Sequence, residues 1–106
     1  MKSILSLDEE KEILSLHIAP ATGRPRQLLD VLLEYYPLPA EKVLIKQMLS
    51  LEGKHTLGSV LRNAKIFIGI HQRYDEDSKK WYYALDDYCI RIARFNRIMN
   101  SLVVRC

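Results

Sequence analysis

The feature that most constrains this chain is a change of hydrophobic period near residue 67. Before it, apolar residues return every three or four positions. "LGSVLRNAKI" sets Leu57, Val60, Leu61 and Ala64 on one side of a helix. After it, "IFIGIHQRY" and "WYYAL" are rich in β-branched and aromatic residues and bracket the turn-forming "DEDSKK". Strand, polar loop, strand is a hairpin signal. A basic helix must therefore lead directly into an aromatic hairpin with a charged tip.

Upstream, the helical period dominates. "SLDEEKEILSLHI" reads as a helix with Ser6 as N-cap and Glu9 as its capping-box partner. Ile13, Leu14, Leu16 and Ile18 supply its apolar contacts, and Pro20, Gly23 and Pro25 end it. A second helix is expected over 25–36, with Leu28, Leu29, Leu32, Leu33 and Tyr36 at helical spacing and Pro37 and Pro39 as stops. A third is expected from about Ala40 to Leu49, with Val43, Leu44, Met48 and Leu49 inward. The connector "SLEG" leads to a fourth, from a Thr56 N-cap to about Ile66. Gly69 tolerates close packing or a bulge in the strand that follows. After the hairpin, a last helix runs from Asp86 or Asp87 to about Val104.

The predicted class is mainly α with a β-hairpin, an α+β arrangement. At 106 residues, 48 % apolar and 27 % charged, the chain suits one folded domain with a modest core rather than a disordered segment. The net charge of +3 is unevenly placed. Residues 1–53 hold six basic and eight acidic side chains, whereas residues 54–106 hold ten basic and five acidic. The positive field belongs to the C-terminal half. No apolar run is long enough for a bilayer, and Asp8, Glu9, Glu10 and Glu12 stand where a secretory leader would be apolar and basic. Cys89 and Cys106 form no Cys-x-x-Cys pair, so a reducing, cytoplasmic setting is expected.

Three helices followed by a hairpin over residues 25–85 resemble the winged helix-turn-helix family. The residues that carry the resemblance are "VLRNAKIFIGI", "YDEDSKK" and "WYYAL". It implies a winged-helix core at 25–85 with extra N-terminal and C-terminal helices, a recognition segment at 54–65, and a wing tip at 75–80. It also makes residues 50–53 the turn between the paired helices.

Chemistry points the same way. A helix fits the major groove, and Arg62 and Asn63 carry the forked donors and acceptors that read base edges. Ser59 and Gly58 allow close approach to a backbone, and Thr56 opens a helix whose free N–H groups suit a phosphate. Lys54, His55, Lys65, Arg73, Lys79 and Lys80 complete the expected DNA-facing set. The expected activity is sequence-specific binding of double-stranded DNA by a small transcriptional regulator. The alternative is a winged-helix adaptor that binds protein and not DNA, favoured by Asp75, Glu76 and Asp77 in the wing. "TGRPRQ" resembles part of an AT-hook core, but a turn and helix start explain it more simply.

In the last helix Tyr88, Ile92, Phe95, Met99 and Leu102 recur at spacings of 4, 3, 4 and 3. This stripe packs on its own domain, on the same stripe of a second subunit, or on both, and a homodimer is the expectation. Arg91, Arg94 and Arg97 lie off it and serve either as phosphate contacts or as a solvated face. His17, His55 and His71 show no ligand spacing, and there is no phosphate-cradling glycine loop or nucleophile elbow. No catalytic role, metal or cofactor is expected.

Overall fold

The structure is a computed structural model that describes residues 5–51 and 57–104. Its described elements are α1 (Leu7–Ile18), α2 (Gly23–Tyr35), β1 (Ala40–Glu41), α3 (Lys42–Met48), α4 (Leu57–Ala64), β2 (Ile70–Asp75), β3 (Lys80–Leu85) and α5 (Tyr88–Val104). The three strands form one antiparallel sheet in the order β1-β3-β2. The arrangement is mainly α with a hairpin sheet and extra helices at both ends. The order α2-β1-α3-α4-β2-β3 is consistent with a winged-helix-like topology.

Local chemistry sets the helix ends. Ser6 Oγ accepts from the Glu9 N–H at 3.1 Å, and Glu9 Oε1 accepts from the Ser6 N–H at 3.3 Å, closing the capping box. Helix α3 ends in a Schellman motif: the Leu51 N–H donates to Lys46 C=O and the Ser50 N–H to Gln47 C=O. Ser50 holds the left-handed position that glycine usually takes, at φ 52°. Arg24 Nη1 donates to the Leu49 carbonyl at 2.6 Å and satisfies another acceptor at the same helix end.

Helix α3 starts later than its composition suggests. Ala40 and Glu41 favour helix intrinsically. Here they pair instead with Tyr83 and Tyr82, with Ala40 buried and Glu41 Oε1 3.5 Å from Lys80 Nζ. Tertiary pairing overrides propensity at these two residues. The helix then buries Ile45 and Leu49, while Val43 and Met48, expected inward, are exposed. Leu16 in α1 is likewise exposed, because α1 packs through Glu10, Leu14 and Ile18.

The core lies between α1, α2, α3, α4 and the inner face of the sheet. Leu14, Leu28, Leu29, Leu32, Ile45 and Ile90 are fully buried. Each contributes on the order of 1.5–3 kcal/mol by leaving water. Helix α4 buries Leu57, Val60, Leu61 and Ala64, the side its spacing predicts. Register puts Ile70, Gln72 and Tyr74 on the same sheet face as Leu85, Tyr83 and Trp81. That face is buried at Ile70, Tyr83 and Leu85 and emerges at the hairpin end. There Tyr74 and Trp81 meet edge to face, with centroids 5.2 Å apart. Gly69 lets the backbone approach Asp86: a Cβ there would lie 3.0 Å from Asp86 Oδ2, and the Asp86 N–H donates to Gly69 C=O at 2.8 Å.

Candidate nucleic-acid interface

Because α4 turns Leu57, Val60, Leu61 and Ala64 into the core, its other side is left outward. Gly58, Ser59, Arg62 and Asn63 are exposed on it, and Lys65 and Ile66 are exposed in the turn that follows. Ser59, Arg62 and Asn63 stand at i, i+3 and i+4 and form one ridge. Among the described residues, neither Arg62 nor Lys65 lies within ion-pair distance of a carboxylate. Lys54, His55 and Thr56 lie outside the described residues.

The hairpin carries the other cations. The outer sheet face holds His71, Arg73 and Asp75 opposite Ala84, Tyr82 and Lys80. Arg73 and Lys79 are exposed, and Lys79 adopts φ 58° in the turn. Lys80 is partly neutralised by Glu41. The wing carboxylates differ from one another. Asp75 is turned into the tip, where it accepts from the Asp77 N–H at 3.2 Å and from Ser78 Oγ at 2.9 Å. Glu76 and Asp77 are exposed. Arg73, Asp75, Tyr82 and Pro39 surround a surface hollow of about 260 Å³.

Other basic residues are engaged within the chain. Besides Arg24, Arg26 binds Asp30 Oδ1 at 3.0 Å and donates to the carbonyls of Ala19 and Ala21. The "TGRPRQ" arginines therefore brace helix ends. Arg94 Nη2 lies 2.5 Å from Glu10 Oε1, which also accepts from Tyr36 Oη at 3.1 Å. Arg97 reaches Glu9 Oε2 at 2.7 Å, and Arg91 reaches Asp87 Oδ1 at 3.2 Å. All three arginines hold ion pairs within the chain, with Arg91 and Arg97 exposed and Arg94 partly buried. They tie α5 to α1 and to its own first turn.

The Glu10 cluster is the site that sequence reading missed. Its signal was present: Glu10, Leu14 and Ile18 stand four apart, so a carboxylate sits in line with the buried row and requires a cation. Burial, with Glu10 as second cause, pushes the Tyr36 hydroxyl up to about 12. The hydrogen bond from Arg97 lowers the Glu9 carboxyl. Burial raises the Cys89 thiol, which disfavours the thiolate a nucleophile would need. Among the described residues no group of three or more His, Cys, Asp or Glu is placed to hold a metal ion.

In α5, Tyr88, Ile92, Phe95 and Met99 are all exposed; the Leu102 side chain lies outside what the structure describes. No described helix is long and apolar enough to cross a membrane. No protein-family model matches the chain, and no curated protein or solved structure matches it significantly.

Proposed function

We propose that this protein binds double-stranded DNA in a sequence-specific manner, as a small transcriptional regulator, and that α4 is the element entering the major groove. The observation that carries the reading is the division of α4 into a fully packed apolar side and an exposed side bearing Ser59, Arg62, Asn63 and the following Lys65. A short helix held rigidly by its core side presents Arg62 and Asn63 without prior commitment to an ion pair among the described residues. Bidentate contacts from these two side chain types discriminate bases by about 1–3 kcal/mol each. Arg73 and Lys79 supply phosphate contacts from the hairpin, and the inward turn of Asp75 lessens the opposition of the wing.

The test is selection of binding sites from a randomised duplex pool, followed by affinities of the selected and a scrambled duplex. Arg62→Ala is expected to lower the ratio of the two affinities by about 1–3 kcal/mol. Equal loss on both duplexes contradicts base reading by Arg62.

One observation favours a second reading, an adaptor that binds protein. Val43 and Met48 on α3 and Ile66 after α4 are exposed apolar side chains, more than a phosphate-facing surface requires. An absence of salt-sensitive retention on heparin and duplex DNA selects that reading.

A further inference from the structure

The hairpin ends in an aromatic corner. Tyr74 and Trp81 pair one rung before the last, Asp75–Lys80. Their rings stand at 85°, and each residue is 42 % exposed. An edge-to-face contact covers at most one ring face, so aromatic surface stays open to a ligand. Among the described residues no lysine or arginine of the chain lies over either ring; the cation–π contact present is Arg91 over Tyr88. Charge at this end is negative. Residues 75–79 hold three carboxylates, Asp75, Glu76 and Asp77, against one lysine, Lys79. Lys80 is matched to Glu41 at 3.5 Å. Arg73 lies on the opposite face of the sheet. An aromatic corner in a negative field attracts a cation and repels a polyanion.

A free small cation is not held there. At an exposed site one ring strengthens cation binding about 2–5-fold. Two rings give about 25-fold at most, whereas millimolar occupancy requires about a thousandfold. The cation must arrive on a chain gripped elsewhere, and the fold supplies that grip beside Tyr74. The sheet order β1-β3-β2 makes β2 an edge strand, and its ladder with β3 runs unbroken through six pairs. The strand contains no proline. Its outward N–H and C=O groups have no backbone partner among the described residues and can take up an added strand.

We infer that the open edge of β2 docks an extended basic segment of a partner protein, with a lysine side chain of that segment seated in the Tyr74–Trp81 corner. Side chains of an added strand point alternately to the two faces of the sheet. Lysines at every second position reach Tyr74 when they take the inner face. On the outer face they would meet His71 and Arg73, so charge selects the register. The docking is independent of whether α4 meets DNA.

Trp81 is the one tryptophan of the chain, so intrinsic tryptophan emission reads this corner. The experiment titrates the full chain with synthetic peptides of about nine residues that alternate threonine with lysine, glutamine or glutamate. The threonine–lysine peptide is expected to shift Trp81 emission saturably, and the other two to bind at least about tenfold more weakly. Tyr74→Ala is expected to weaken the threonine–lysine peptide about 2–5-fold, with recovery in Tyr74→Phe and cooperative thermal unfolding kept in both. Amide hydrogen exchange in residues 70–75 is expected to slow when that peptide binds. Equal binding of the lysine and glutamine peptides overturns the inference, as do indifference to Tyr74→Ala and unchanged exchange in β2. The same shift from butylammonium at the same lysine concentration replaces the segment by a free cation, and a larger shift from oligothymidylate replaces it by nucleic acid. Either result overturns the docking.

Discussion

Replacing Glu10 by alanine tests how α5 is held. Glu10 Oε1 accepts from Arg94 Nη2 at 2.5 Å and from Tyr36 Oη at 3.1 Å, so one substitution leaves two donors without their acceptor. A hydrogen bond to a charged group contributes about 1.5–3 kcal/mol when buried, and a neutral one about 1 kcal/mol. The Glu10 side chain is 10 % exposed and that of Arg94 36 %. Arg94 therefore regains water when its partner is lost, which moves its share to the lower end of that range. The expected net loss is about 2–3 kcal/mol. For a domain of this size that corresponds to a fall in Tm of roughly 10–20 °C. Thermal and urea unfolding followed by circular dichroism read it directly. A double-mutant cycle with Glu10→Gln and Arg94→Met isolates the pair, with an expected coupling of about 1 kcal/mol or more. A fall in Tm below about 3 °C, or single-variant effects that simply add, refutes the account of α5 docking.

Two further predictions concern the same scaffold. Tyr36 keeps its proton up to about 12 in the folded chain against an ordinary value of 10, so between these pH values the unfolded state loses its proton first. Its contribution is whole below pH 10 and fades as pH rises toward 12. The stability difference between parent and Tyr36→Phe should shrink across that window in urea titrations, and a difference independent of pH contradicts the assignment. Ser50→Gly removes the penalty of a left-handed serine at φ 52° in the Schellman turn, and a gain in unfolding free energy of about 0.5–1 kcal/mol is expected. A loss of stability there means that the serine side chain stabilises the turn in a way the backbone hydrogen bonds do not reveal.

Much of the architecture was legible because periodicity and packing agreed. The α4 side at Leu57, Val60, Leu61 and Ala64 and the Ser6–Glu9 capping box follow directly from spacing. The hairpin follows from a change of period bracketing a turn, and its register emerges as six paired positions from Ile70–Leu85 to Asp75–Lys80. What escaped depends on partners distant in sequence. Nothing local marks Ala40–Glu41 as a strand, because their partners are Tyr83 and Tyr82. On α3 the buried side is that of Ile45 and Leu49, and Val43 and Met48 are exposed. The turn after α3 gave no glycine signal because Ser50 adopts the left-handed conformation itself. Arg94 read as surface charge because its acceptor, Glu10, lies 84 residues away. The stripe on α5 was visible in sequence, but only the fold reveals that its opposite side takes the ion pairs. Of the candidate interface, the exposed Ser59, Arg62, Asn63 and Lys65 follow from the phase of α4, while the inward turn of Asp75 at the wing tip is a product of turn geometry.

The central claim is that the outward side of α4 meets a nucleic-acid duplex. It is tested most directly by the slope of log affinity against log salt concentration for a duplex, compared between the parent and Lys65→Ala. A linear fall is expected for the parent and a slope shallower by about one for Lys65→Ala, the signature of one phosphate contact removed. A duplex affinity that does not change with salt, or a slope unaltered by Lys65→Ala, contradicts it.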